Sequence, residues 1–335
     1  MAKAWGGFRS LWNKLGSRPI IRLMVFLSTT CRNKSGPWLP LYHGLTLLLF
    51  AALACVLITF AQEPSDERPS ATPSDVFARV ITNLKKSETL LDEYERTHRV
   101  EKRRMANDPN PWNTTVWRLF PTGPSMDKVV ISVDGKATNS ETYRGELEKL
   151  EKYLIWAAQD GTATKEAYAR AERKRKERFD LMDATHHAFR FTLEGKEMRA
   201  DRILLRYSME PNPEYRPTSR TTVLFTRVRG TIWIDEQSSQ LAKVDGSVTE
   251  DFSIALFLAK VYKGSHFMQE RYEVAPGVWE PTFEQYDFDG RKFGVPFSIH
   301  ERTFYFDYKR VGPPKEAVEV VRAELSKLEP NQSPR

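Results

Sequence analysis

An α+β fold built on a curved antiparallel β-sheet is what this sequence predicts, and three observations carry that reading. From Ala188 onward, eight short strand-like runs follow one another, punctuated by turn signals and without a βαβ rhythm. Helical periodicity is confined to three stretches, near 74–91, 141–183 and 314–328. Between residues 252 and 308 aromatic side chains stand on both strand parities, which implies two apolar sheet faces. The expected shape is a half-barrel with covering helices, preceded by an N-terminal hydrophobic helix.

The chain has 335 residues, 40% hydrophobic and 12% aromatic, enough to build a core and too apolar for a disordered chain. Its net charge of +7 is unevenly placed. Residues 1–61 hold seven basic residues and no acidic one; removing those seven from the 51 leaves 44 basic against 44 acidic in the body. A neutral body argues against a nucleic-acid partner, which needs a net basic face.

Residues 1–40 read as a basic cytoplasmic N-region. Residues 41–61 read as a signal peptide or a transmembrane anchor. The run LTLLLFAALACVLITFA is uncharged, and as a helix of about 1.5 Å per residue it nearly matches a hydrocarbon core. Basic residues precede it and acidic ones follow, so the body is expected outside the cytoplasm. Thr59-Phe60-Ala61 offers small residues for cleavage after Ala61, and Met24 offers an alternative start with a shorter leader. Without cleavage, the same segment ties the protein to the membrane. Both cysteines, Cys31 and Cys55, lie in this leader, so the body has no disulfide framework and no thiol nucleophile.

Residues 62–73 are polar and proline-rich, a linker. A helix capped by Ser74 or Asp75 follows, with Phe77, Val80, Ile81, Leu84 and Leu91 on one face. Tyr94–Lys102, Thr115–Phe120 and Lys128–Val133 read as strands, the last ending at the hairpin signal Asp134-Gly135. Residues 141–183 read as two charged helices broken near Asp160-Gly161, the first with a stripe of Leu147, Leu150, Leu154 and Ile155.

The eight later strands are expected at Phe189–Leu193, Ile203–Ser208, Val223–Val228, Thr231–Asp235, Leu241–Thr249, Phe267–Val274, Thr282–Phe288 and Ser298–Phe306. Turns are expected at Gly230, Asp245-Gly246, Pro276-Gly277 and Asp289-Gly290. Phe252–Lys263 is a strongly apolar insert, suited to a lid or a membrane-facing element. An amphipathic helix over Pro314–Leu328 closes the chain within a 313–335 tail region.

The chemistry-bearing residues form no catalytic pattern. The five histidines of the body have no HxxxH or HExxH spacing, and there is no GxSxG, P-loop or GxGxxG. Asp287-Phe288-Asp289-Gly290 lacks the later ligands of a calcium loop and reads as a hairpin turn. No metal, no cofactor and no catalytic residue is expected, and the protein reads as a non-enzyme.

Two binding features remain. Arg170, Arg173, Lys174, Arg175, Lys176 and Arg178 crowd one helix, either as a solvated face or as contacts for anionic lipid head groups. The aromatic-rich sheet is either sandwiched between layers or has one face lining an apolar cavity for acyl chains. For such a cavity the candidate lining is Trp233, Phe252, Phe257, Trp279, Phe283 and Phe304.

Several of these segments resemble one family. Val228–Asp235 (VRGTIWID) followed by Gln240–Gly246 (QLAKVDG) is similar to the strand pair of outer-membrane lipoprotein-sorting proteins, the LolA/LppX/RseB-like superfamily. Val274–Pro281 (VAPGVWEP) resembles its Gly-x-Trp-x-Pro hairpin, and Tyr305–Tyr308 (YFDY) its final strand. The resemblance implies a LolA-like β-cradle over 74–312, with 141–183 as a helical insertion. The arginine that gates the cavity of soluble carriers in the family has no matched position here. The implied role is non-catalytic binding of a lipid, a lipoprotein acyl chain or another apolar ligand in the periplasm of the bacterial cell envelope, in transport or sensing. The alternative is a membrane-tethered regulatory or structural module with a filled interior, whose partner is another envelope protein.

Overall fold

The computed structural model describes residues 73–328, apart from 106–107, 220 and 255–258. The basic N-region, the apolar segment 41–61, the linker to residue 72 and Phe257 lie outside the described residues. No described helix is long and apolar enough to cross a membrane.

The described chain is an α+β fold on one large antiparallel sheet. Helix α1 (Pro73–Leu90) starts at a proline, which loses nothing where helical N–H groups are unpaired anyway, and has Asp75 in its first turn. Its helical spacing buries Val76, Phe77 and Val80 on one side. Three strands follow, β1 (Tyr94–Arg103), β2 (Asn113–Pro121) and β3 (Met126–Val133), then the short β4 (Lys136–Ala137). The β3–β4 turn is Asp134-Gly135, both at positive φ (48° and 76°), the two-residue hairpin geometry that its sequence predicts.

Helix α2 (Ser140–Ala157) is capped by the Asn139 side chain, which accepts from the Thr142 N–H at 2.7 Å. Leu147, Leu150 and Leu154 are buried as expected; Ile155 is not, because it falls off the stripe and is 37% exposed. Helix α3 (Thr162–Ala188) spans 27 residues and buries only Thr164 and Ala188 fully. Together α2 and α3 carry the chain from edge strand β4 to the opposite edge, β5 (Phe189–Arg199). This is the segment expected as an insertion.

The remaining strands are β6 (Arg202–Pro211), β7 (Val228–Asp235), β8 (Leu241–Val248), β9 (Phe252–Ile254), β10 (Ala259–Val261), β11 (His266–Ala275), β12 (Val278–Lys292) and β13 (Val295–Arg310). The main path runs β4-β3-β2-β1-β13-β12-β11-β8-β7-β6-β5, and the β9–β10 hairpin pairs onto β12. The first strand therefore pairs with the last. Helix α4 (Pro314–Leu328) ends the described chain with Val318 and Val321 buried.

Four expectations need correction. Val223–Val228 is not a strand: Thr222–Arg227 forms a 3-10 turn that buries Leu224 and Phe225, and β7 begins only at Val228. A short apolar run satisfies either conformation. The strand expected to end at Leu193 runs on to Arg199, with Gly195 at a bulge inside it, and the turn is Ala200-Asp201. Asp289-Gly290 lies within β12, and the reversal comes at Phe293-Gly294, both at positive φ. Asp287 and Asp289 there flank the buried His300 of β13, at 2.9 and 3.6 Å.

Gly230 and Asp245-Gly246 are likewise inside strands, where Gly230 faces Gly246 across β7–β8. A Cβ on Gly230 would lie 2.0 Å from the Asp245 carbonyl oxygen, and one on Gly246 would meet the Phe267 ring at 2.6 Å. These glycines permit close approach of backbone and ring. Gly230→Ala is expected to lower stability by about 1–3 kcal/mol, as overpacking does. Its thermal midpoint should fall below that of Thr231→Ala, a neighbour outside the tight contact.

The sheet presents a helix pair to each face. On one face α1 and α3 cover Met209, Ile232, Val244, Phe267 and Tyr286. On the other, α2 and α4 pack Leu147, Leu150, Leu154, Val318 and Val321 against Phe120 and Val129 of β2 and β3. Register places these two sets on opposite pleat parities.

Candidate functional site

A cavity of about 190 Å³ lies between α1, α3, the 3-10 turn and the sheet face they cover. One water occupies only about 10–15 Å³ on this kind of measure, so this is a binding-sized space rather than a packing defect. Its walls follow from local structure. Helical spacing in α1 sets Val80, Ile81 and Leu84 against it, and α3 adds Leu181 and Met182. The 3-10 turn supplies Leu224 and Phe225, and strand alternation supplies Ile232 and Val244. Phe77, also in the lining, stacks on Phe191 at 3.8 Å between ring centres and meets Tyr207 edge-on at 5.2 Å.

A second depression, of about 450 Å³, is bounded by Glu95, Arg96, Arg118 and Lys309. It is wider but more open and polar. Arg118 is already committed there, donating to Glu95 at 2.6 Å and to Glu324 at 2.5 Å. Burial alone would lower the Arg118 pKa, but these two carboxylates outweigh it and raise it. The apolar cavity is the better binding site because its walls are hydrocarbon and two helices shelter it.

Ion pairs join those two helices. Lys85 meets Asp183 at 2.6 Å, Arg178 meets Glu88 at 2.7 Å, and Arg175 meets Asp92 just beyond α1. Glu88 is buried and, with Arg178, borders the cavity. Two of the six expected head-group cations, Arg175 and Arg178, therefore face the protein's own acids. Arg170 pairs with Glu166 at 3.5 Å and Lys176 with Asp180 at 3.1 Å on the outer side, and Arg173 and Lys174 are exposed.

The aromatic residues expected to line a cavity are placed elsewhere. Trp233 donates its indole N–H to Glu197 at 2.9 Å, under the Lys243 ammonium. Trp279 is buried against Leu204 and Ala242, away from the lining. Phe283 and Phe304 pack on each other at 5.1 Å on the face opposite the cavity, and Arg99 lies 4.3 Å from the Phe304 ring. The reason is parity: Tyr286 and Ile232 point inward, so Phe283 and Trp233, an odd number of positions away, point outward. Phe252 belongs to the core cluster that contains the cavity walls but is not in the lining.

One feature escaped the sequence reading. Beyond the hydrocarbon walls, the same sheet face carries a row of buried polar side chains. Gln269 donates to Glu284 at 2.8 Å, and the Tyr305 hydroxyl donates to the other Glu284 oxygen at 2.9 Å. Arg271 lies beside Gln269, and His98 stacks on Tyr305 at 4.8 Å. Tyr308 donates to the Pro281 carbonyl at 2.6 Å, and burial pushes its phenol far above the ordinary value despite the pull of Arg96. Gln269, Arg271 and Glu280 from this row reach the cavity lining. The available signal was polar residues recurring at inward strand parity, as in Gln269/Arg271 and Glu301/Thr303/Tyr305. Among the described residues no group of three His, Cys, Asp or Glu is arranged to hold a metal ion.

No family model matches this sequence, and no curated protein matches it. Among solved structures the chain is similar to a domain from Vibrio parahaemolyticus named for outer membrane lipoprotein sorting. The identity is 10%, over 73% of this chain and 99% of that one, with a TM-score of 0.29. It is also similar to a LolA superfamily protein from Nitrosomonas europaea, at 9% identity over 72% and 96% of the two chains, TM-score 0.21. A third similarity is to the Pseudomonas aeruginosa MucA/MucB complex, at 10% identity over 71% and 95%, TM-score 0.20.

Proposed function

We propose that this protein is a non-catalytic binder of an acyl chain or a similar apolar ligand, acting in the bacterial cell envelope. The observation that carries the proposal is the sheltered cavity of about 190 Å³, walled by aliphatic and aromatic side chains from two helices and a sheet. Burying hydrocarbon there gains about 25 cal/mol per Å² removed from water. The few polar groups in the lining suit a ligand with a single polar head. An envelope location is supported by the basic, then apolar, then acidic order of the N-terminal segment.

The test is native mass spectrometry of the full-length chain purified from its membranes, before and after lipid extraction. Discrete adducts of lipid mass that disappear on extraction are expected. A clean mass with no uptake of added palmitic acid would overturn the proposal in favour of a tethered interaction module.

A further inference from the structure

We propose that the turn between β12 and β13 is a bilayer contact: Phe293 and Val295 enter an anionic lipid surface and orient the folded body on it. Neither residue lines the cavity, so the contact is separate from the cavity and its ligand. β11 pairs with β12 only as far as Asp287, and β1 pairs with β13 only from His300. Beyond those positions β12 and β13 continue as a ladder to Lys292 and Val295, with β10 the described strand beside them. At about 3.3 Å per residue, the stretch from Phe288 to Lys292 carries the turn roughly 16 Å past the ladder with β11.

The tip is apolar where a turn is ordinarily polar. Phe293 (φ 51°) and Gly294 (φ 78°) take the two left-handed positions of a tight hairpin, where Asn or Asp before Gly is the usual choice. Phe293 is 63% exposed and Val295 65%, and Pro296 beside them is exposed as well. Neither the backbone nor the core accounts for a large ring at that position. The charge at this end of the sheet leaves one sign over. Asp251 is taken by Lys260 at 2.7 Å and Glu250 by Arg227 at 2.6 Å, and Asp289 accepts from Ser298. Arg291 and Lys263 are exposed and form no ion pair among the described residues. The two exposed apolar side chains offer on the order of 250 Å², against about 800 Å² per partner in a stable protein interface. A fluid bilayer needs no matching pocket. It gains from each apolar group buried and from the attraction of exposed cations to anionic head groups.

The experiment reads depth at the tip. In the full-length chain, with Cys31 and Cys55 changed to serine, Val295→Cys carries an environment-sensitive NBD label. Met198→Cys carries the same label as the control, because Met198 is 68% exposed on β5, away from this turn. Each is reconstituted into vesicles of phosphatidylcholine and phosphatidylglycerol, with and without doxyl-labelled lipid. The expected result is a blue shift and loss of emission to the doxyl lipid at 295, and neither at 198. Adding Phe293→Ser is expected to cut the quenching at 295 several-fold. Equal quenching at the two positions overturns the proposal. No quenching at 295 overturns it in favour of a protein partner for the tip. Quenching that Phe293→Ser leaves unchanged overturns the role of Phe293, and equal quenching without phosphatidylglycerol overturns the anionic preference. Pro296→Cys carries the label where Val295→Cys fails to fold.

Discussion

Val244→Trp is expected to abolish acyl-chain uptake. Val244 lies on the inner face of β8, opposite Ile232, and both line the cavity. An indole there occupies the space a ligand tail would fill. Excluding about four methylene groups at about 0.8 kcal/mol each costs on the order of a hundredfold in affinity. Ile81→Trp closes the same space from α1, where a half-buried side chain has more room to adjust, and serves where the β8 variant does not fold. The matched controls are Trp233→Ala and Phe283→Ala. Both change side-chain size by about as much as the cavity variants do, yet both sit outside the lining and should leave uptake unchanged. Titration of a fluorescent fatty acid into each full-length variant reads all four. Loss of uptake in the controls but not in the cavity variants would place the ligand on the opposite face.

The second large effect is on stability. Glu284 is 1% exposed and accepts from both Gln269 and Tyr305. Glu284→Ala strands both donors in the interior, at about 1–3 kcal/mol for each one left unpartnered. Against a typical domain stability of about 5–15 kcal/mol, that is a large fraction. Glu284→Gln retains one acceptor and should lose much less. Urea unfolding midpoints of the two variants check the ordering. Equal losses would show that the carboxylate, rather than its hydrogen bonds, holds this row together.

The helices were legible because period and breakers agreed, although the first begins at Pro73 and so takes the expected caps Ser74 and Asp75 into its first turn. Pro314–Leu328 occurs with the predicted bounds, and the break near Asp160-Gly161 separates α2 from α3 as expected. The strands were legible as runs but less so at their ends. Glycine marks both a turn and a point of close strand approach, and the sequence does not distinguish them. At Gly230 and Gly246 the second meaning holds. Length was also underread: β12 and β13 extend through Asp289-Gly290 to a turn at Phe293-Gly294.

The site was less legible than the fold, for a reason of phase. When both faces of a strand carry apolar residues, alternation reveals two sets without saying which faces the cavity. Choosing by side-chain size favours Trp233, Phe283 and Phe304. The structure instead turns Ile232 and Val244 inward, with Tyr286, and leaves the larger rings outside under arginine and lysine cover. Similarly, a basic helix suggests a surface for anions. The acids that neutralise Arg175 and Arg178 lie about 80–90 positions earlier in the chain, at Asp92 and Glu88, and only the fold brings them across.

The most direct test of the account is where a bound chain lies. A palmitic acid analogue with a diazirine near its tail, photolysed on the full-length protein, should attach to cavity-wall peptides. The expected sites lie around Leu84, Met182, Phe225 and Ile232. Excess palmitic acid should suppress the attachment. Labelling confined to the opposite face, around Phe283 and Phe304, or labelling that excess palmitic acid does not suppress, would contradict it.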